Sequence, residues 1–306
     1  MSFLNQKTIK NKIFFNGVGL HTGQPVELNL IPSEPNSGII FKRVDLNKNN
    51  IIIPSYENVI DTTLCTTLSN EYGTKVSTIE HLMGALYGIG IDNLIVEVNS
   101  QELPILDGSA KIFIEKILST GIKSSSTPIK LIKINKKVEF KDGSKRISLD
   151  KSKIASEIDF QINYQNKIIG TQRNKINIFS DDLNHIFESR TFCLYRDVEK
   201  LKNAGLAQGG SLDNAIVVDE NKILNNEGLR NNKEFVNHKI LDCMGDLYLS
   251  GYRIVGSLIT SEGGHKLTNQ ILRKLFSDKT NYTVIEIKEK TLPYQVLNNS
   301  YLKSIA

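Results

Sequence analysis

Phe235-Val236-Asn237-His238-Lys239-Ile240-Leu241-Asp242-Cys243-Met244-Gly245-Asp246 is the stretch on which both the fold and the chemistry turn. It reads as helix, so His238 and Asp242, four apart, project from one face, and Asp246 lies one further turn along. An imidazole and a carboxylate at that spacing can hold one divalent cation between them. A catalytic zinc usually takes three protein ligands and keeps a position for water, so a third ligand has to come from elsewhere in the chain.

The chain has five histidines in which to look: His21, His81, His185, His238 and His265. His81 directly follows Glu80 in Ser77-Thr78-Ile79-Glu80-His81-Leu82-Met83, and a ligand histidine beside a glutamate gives a metal site its own proton acceptor. This is not the H-E-x-x-H helix of zinc proteases, whose second histidine falls four residues after the first. The ligands would come from two helices far apart in sequence. Taken singly, each feature has a plainer reading. His238 and Asp242 make a solvated surface pair, Asp246 is a helix-surface acid, Thr191 a cap or strand residue, and His265 a loop histidine after two glycines. His21 and His185 are assigned to structure, and Cys65 to a small buried hydrophobe.

Working outward, each of the two helices sits in the same succession of elements. Before the first lie short β-branched segments, Lys12 to Phe15, Val26 to Leu30, Ile39 to Arg43 and Ile51 to Pro54. A helix over Ser77 to Tyr87, a strand over Asn93 to Val98 and a helix over Gly108 to Ser119 follow. In the second half, strands run from Ile129 to Ile178, with Val138 to Phe140 and Ile154 to Asn163 among them. Then come a helix over Glu234 to Leu249, a strand over Ile254 to Thr260, a helix over Leu267 to Phe276 and a strand over Thr283 to Lys288. Gly121-Ile122-Lys123-Ser124-Ser125-Ser126-Thr127-Pro128 reads as a linker. The expectation is an α+β protein of two domains, residues 1–123 and 128–306, related by an internal repeat, with the metal where their helices meet.

Bulk properties narrow the function classes. The 306 residues are 40% hydrophobic and 23% charged, ordinary for a soluble globular protein. No apolar run approaches the roughly 20 residues that span a bilayer, and the first residues lack a secretory signal. Three widely spaced cysteines argue against a disulfide framework and for a reducing cytoplasm. The net charge of +5 comes with scattered lysines and no nucleic-acid motif, so no nucleic-acid partner is expected. A positive surface suits an anionic small substrate or an anionic membrane face.

Gly17-Val18-Gly19-Leu20-His21-Thr22-Gly23, Thr78-Ile79-Glu80-His81-Leu82, Gly90-Ile91-Asp92-Asn93 and Pro104-Ile105-Leu106-Asp107-Gly108-Ser109 occur in that order. Ser189-Arg190-Thr191-Phe192, His238-Lys239-Ile240-Leu241-Asp242, Gly245-Asp246-Leu247-Tyr248 and Gly263-Gly264-His265 follow, and Leu64-Cys65-Thr66-Thr67 also fits. Together, over nearly the whole chain, these resemble the zinc-dependent UDP-3-O-acyl-N-acetylglucosamine deacetylases of bacterial lipid A biosynthesis. That resemblance implies two β-α-α-β sandwich domains packed through their helices. It also implies a hydrolase that removes acetate from the 2-amino group of an acylated UDP-glucosamine. By motif position His81, His238 and Asp242 would hold Zn²⁺, with Fe²⁺ acceptable to the same ligand set. Glu80 would be the general base, His265 a general acid or cationic partner oriented by Asp246, and Thr191 a donor to the oxyanion. The proton for the departing amine would come from His265, or from Glu80 acting twice.

For substrate binding, Lys239 is expected within reach of a phosphate and Phe192 against a planar or sugar ring, with a solvated lysine and a core aromatic as the plainer readings. The segment 193–223 is the expected insert housing the acyl passage, with Val198, Leu201, Leu206, Ala207, Ala215, Ile216 and Val217 around Gln208-Gly209-Gly210. The resemblance thus predicts a monomeric cytoplasmic enzyme, in transient peripheral contact with the inner membrane, whose partner is the acylated UDP-sugar. The alternatives are a metal amidase of the same fold acting on another acetylated sugar, and a binding protein with a degenerate site.

Overall fold

In the computed structural model, residues 5–153 and 155–286 are described. Six α-helices lie among these residues: α1 (Glu80–Ile89), α2 (Lys111–Thr120), α3 (Asn184–Phe187), α4 (Tyr195–Asn203), α5 (Glu234–Tyr248) and α6 (His265–Phe276). The predicted strands and the four long helices form with shifts of a few residues at their ends. The expected strand starting at Ile154 begins at Ser156 instead, and that ending at Lys288 is described to Glu286; Ile154 and residues 287–306 lie outside the described residues.

The protein is α+β, and one pairing pattern occurs twice. In the first half, Leu94–Val98 follows α1, runs antiparallel to Pro25–Pro32 and parallel to Ile39–Arg43. Ile13–Val18 extends this sheet as the hairpin partner of Pro25–Pro32, and Ile51–Ile52 closes the far edge. In the second half, Arg253–Ser261 follows α5, runs antiparallel to Lys145–Asp150 and parallel to Ser156–Asn163. Val138–Asp142 is the hairpin partner of Lys145–Asp150, matching the first sheet. Alternating burial along Leu94–Val98 and Ile39–Arg43 shows why these segments are strands: every second side chain enters the core.

Helices cover the inner faces of both sheets, and the two halves meet along α1 and α5. Every residue of α1 is buried, as is every residue of α5 except Lys239, so both helices lie inside a continuous apolar core. The crossing is close because of two glycines. A Cβ on Gly84 would come within 2.7 Å of the Leu241 carbonyl oxygen, and one on Gly245 within 2.1 Å of the Glu80 carbonyl oxygen.

The serine-rich stretch is not a free tether. Ile122–Pro128 is a strand paired antiparallel with Asn5–Ile9, so the N-terminal segment holds the connection between the halves in place. Serine and threonine tolerate extended backbone, and composition alone does not distinguish a paired strand from a linker. The segment 193–223 forms a small layer of its own. Phe192–Leu194 runs parallel to Ile216–Asp219, which pairs with Lys222–Ile223, and α4 packs on this sheet.

Candidate metal centre and active site

Glu80 and His81 owe their position to the turn before α1. Thr78 has φ +56°, a left-handed conformation unfavourable for a β-branched residue. Its hydroxyl donates to Glu102 Oε1 at 2.9 Å. Glu102 is wholly buried and also accepts from the backbone N–H of His21 and from the N–H and hydroxyl of Thr22, each at 2.8 Å. One carboxylate therefore ties the Gly19–Thr22 loop to the turn that aims Glu80 and His81 inward.

His238 and Asp242 come from α5, one turn apart on the same face, as the spacing requires. The candidate ligand atoms of His81, His238 and Asp242 lie within 4.8 Å of one another. His81 Nε2 and His238 Nε2 stand 3.5 and 3.4 Å from Asp242 Oδ1. That oxygen is buried and has no hydrogen-bond partner, whereas Asp242 Oδ2 accepts from the Lys239 ammonium at 2.9 Å. A buried, unsatisfied carboxylate oxygen facing two imidazole nitrogens costs free energy unless a cation joins them. His238 Nδ1 lies 3.1 Å from the Ser189 carbonyl, which can only accept, so Nδ1 carries the proton and Nε2 offers a lone pair to the site. Burial also pushes the His238 pKa down to about 3, keeping the ring neutral. Against the opposing effect of its own burial, Asp242 is held well below the usual carboxylate range, with the Lys239 ammonium on Oδ2 the cation beside it. Two imidazoles and one carboxylate make a donor set suited to a divalent transition metal. Among the described residues no other cluster of His, Cys, Asp or Glu converges in this way.

Next to this cluster is a second group. Glu80 has its carboxylate pKa raised by burial, with Asp242 and Asp246 adding to the effect and His265 and His81 opposing it. His265, at the start of α6, places Nδ1 2.8 Å from Asp246 Oδ2 and Nε2 3.9 Å from Glu80 Oε1. Burial works against its charge, yet Asp246 and then Glu80 raise its pKa to about 10, so His265 is cationic. The structure thus brings Glu80, His81, His238, Asp242, Asp246 and His265 together across the α1–α5 crossing.

Thr191 sits two residues beyond Ser189, half-buried, with its N–H on the Gly108 carbonyl at 2.8 Å. Gly108 has φ +79°, and a Cβ there would fall 2.0 Å from the Asn214 carbonyl oxygen, so only glycine lets the 104–109 turn seat Thr191 this way. Phe192 meets Phe235 and Tyr164 edge-on, with ring centres 5.0 and 5.6 Å apart, and Lys239 Nζ lies 5.6 Å over its ring. Lys239 and Phe192 are thus engaged with each other and with the site wall, Lys239 through its ion pair with Asp242. Thr191 and Phe192 begin an apolar cavity of about 340 Å³, whose wall includes Val198, Leu201, Ala207, Ala215 and Val217. His21 lines it too, neither ring nitrogen having a hydrogen-bond partner, while His185 is exposed beside Glu188. Cys65, Cys193 and Cys243 are free thiols, and burial raises the Cys65 pKa to about 12.

Residues 6–277 match the family described as LpxC, UDP-3-O-acyl N-acetylglycosamine deacetylase. This chain belongs to that deacetylase family. The UDP-3-O-acyl-N-acetylglucosamine deacetylase of Histophilus somni is 42% identical over 291 residues, covering 94% of this chain and 95% of that one. The protein of the same name from Teredinibacter turnerae is 43% identical over 306 residues, 99% of each chain. That from Haemophilus influenzae strain PittEE is 42% identical over 290 residues, 94% and 95% of the two chains. Family membership bears out the resemblance that the sequence motifs carry.

Several residues that shape the site have no assigned role in the sequence reading: Glu102, Thr66, and the pair Arg190 and Glu234. The Arg190 guanidinium is buried and bonds Glu234 Oε1 at 2.8 Å, which fixes the backbone that presents Ser189 and Thr191. Ser189 matters through its carbonyl oxygen, which every residue has. No residue type at that position would have announced it.

Proposed function

We propose that this chain is the metal-dependent hydrolase that removes the N-acetyl group from UDP-3-O-acyl-N-acetylglucosamine, releasing acetate, in lipid A biosynthesis. The observation that carries the reading is the convergence of His81, His238 and Asp242 on one point, with Glu80 beside them and an apolar cavity opening from Thr191 and Phe192. Family membership supplies the substrate class, and the relatives' names supply the reaction.

In this reading His81, His238 and Asp242 would hold zinc, or ferrous iron in the cell. When bound, the ion polarises the acetamide carbonyl and acidifies a water molecule. Glu80, made more basic by burial, would accept a proton from the water that attacks the carbonyl carbon. The Thr191 hydroxyl donates to the oxygen on which charge develops, where one lost donor costs about 10²–10³ in rate. His265, kept cationic by Asp246, faces the same space and supplies a proton to the departing amine. Lys239 and Phe192 would contact the phosphates and the sugar, and the cavity in the 193–223 insert would take the acyl chain. All groups come from one chain, so a monomer suffices. Each half of the chain would contribute ligands, His81 from the first and His238 and Asp242 from the second.

Leu64, Tyr195 and Leu212 are exposed on the cavity wall, and Arg196, Lys200 and Lys202 are exposed on α4. An apolar rim with basic neighbours supports transient contact of a cytoplasmic protein with the anionic inner membrane surface. No described helix is long and apolar enough to cross a membrane.

The test is acetate release from the acylated UDP-sugar by metal-loaded protein, beside His238→Ala and a non-acylated substrate. Release that needs the metal, His238 and the acyl chain supports this reading. Release indifferent to the acyl chain points to a metal amidase on another acetylated sugar. Absence of release from metal-loaded protein means that the family likeness carries the fold but not this activity.

A further inference from the structure

Thr66 lies just before the strand Thr67–Ser69, in the edge layer over the α1–α5 crossing, and is 1% exposed. Its backbone N–H donates to Glu80 Oε2 at 3.1 Å. The hydroxyl donates to Asp246 Oδ1 at 2.6 Å. Asp246 Oδ2 in turn accepts from His265 Nδ1 at 2.8 Å, and His265 Nε2 faces Glu80 Oε1 at 3.9 Å. Thr66, Glu80, His265 and Asp246 therefore close a ring in which the two proton-handling groups of the site are held from behind by one residue.

We propose that Thr66 is a positioning residue that fixes Glu80 and Asp246 against each other through its N–H and its hydroxyl, and so sets the orientation of His265. The inference rests on the deacetylase reading. The chemical logic is one of donors. Glu80 comes from the first half of the chain and Asp246 from the second, and both are buried carboxylates. An ionised carboxylate needs donors, and a hydroxyl offers one proton, which here goes to Asp246. Satisfied on Oδ1 by Thr66, Asp246 is left to receive the imidazole on Oδ2, which fixes the ring plane and points Nε2 toward Glu80. The backbone N–H does the same for Glu80 Oε2, leaving Oε1 to face the site. Valine at this position keeps the shape and the N–H but deletes the hydroxyl, so Asp246 can rotate and His265 with it.

The test uses the zinc-loaded full chain with Thr66→Val, Thr66→Ser, Asp246→Asn and the double variant Thr66→Val/Asp246→Asn. A hydrogen bond to a charged buried group is worth about a tenfold to hundredfold effect. Thr66→Val is expected to lower kcat by that factor with KM within about twofold, and Thr66→Ser to restore kcat to within about threefold. The double variant is expected to be no slower than Asp246→Asn, because the hydroxyl acts through that carboxylate. The downfield proton resonance of His265 Nδ1 is expected to move in Thr66→Val and to stay in Thr66→Ser. Should valine prevent folding, Thr66→Ala deletes the same hydroxyl. Unchanged kcat in Thr66→Val, losses that multiply in the double variant, or an unmoved His265 resonance would each overturn the inference. The resonance needs no turnover, so it decides the Thr66 link even where wild-type protein releases no acetate, a result that would count against the deacetylase reading alone.

Discussion

Gly245→Ala is a small change that should reach the metal. The added methyl group would point at the backbone of the facing helix, with its Cβ 2.1 Å from Glu80 O, 2.8 Å from Glu80 C and 2.9 Å from Glu80 Cα. Backbone cannot swing aside as a side-chain tip can, so α1 has to move off α5. Ordinary van der Waals contact begins near 3.4 Å, so the separation needed is roughly 1 Å. His81 rides on α1, whereas His238 and Asp242 ride on α5. Metal–ligand distances tolerate only about ±0.2 Å, so a shift of this size would carry His81 out of reach of a cation shared with His238 and Asp242. Stability changes little by comparison. Overpacking costs about 1–3 kcal/mol, and alanine recovers about 1 kcal/mol over glycine in helix propensity. The expected result is a modestly lower Tm of the metal-free protein but at least about a hundredfold weaker metal binding, beyond the usual loss for outer-shell changes. The assay is competition with a fluorescent chelator, with thermal unfolding of apo-protein alongside. Gly84→Ala meets Leu241 O at 2.7 Å and Leu241 Cδ1 at 2.8 Å, so its loss should be intermediate. If Gly245→Ala bound metal within about threefold of wild type, the glycine crossing would not be what sets the ligand geometry.

Asp246→Asn removes the anion that keeps His265 charged against burial, so the His265 pKa falls and the alkaline limb of the kcat profile moves to lower pH. An unmoved limb in pH-rate measurements would take His265 out of the proton transfer. Arg190→Ala leaves Glu234 buried without its partner and should cost about 3–5 kcal/mol in urea unfolding. Leu201→Glu places a charge in the cavity wall and should raise KM for the acylated substrate while leaving slow turnover of a non-acylated one unchanged. Equal effects on the two substrates in steady-state kinetics would separate the cavity from acyl recognition.

What the sequence determined was whatever is periodic and local. His238 and Asp242 share a face because a helix repeats every 3.6 residues, and that holds whatever the helix packs against. The alternation in Leu94–Val98 and Ile39–Arg43 likewise follows from strand geometry, so the two sets of strand, helix, strand and helix are legible as an α+β repeat. The ordered motifs carried the remaining site residues by resemblance. Only the tertiary structure decided how closely α1 and α5 approach, because that depends on which atoms face Gly84 and Gly245 across the crossing. It also decided that Ile122–Pro128 is a strand, since pairing needs a partner, Asn5–Ile9, more than a hundred residues distant. Thr66 turned to Glu80 and Asp246 for the same kind of reason. Hydrogen bonds between remote segments, and those made by backbone atoms such as the Ser189 carbonyl, leave no periodic trace in residue types. They form when folding buries polar groups that then require partners.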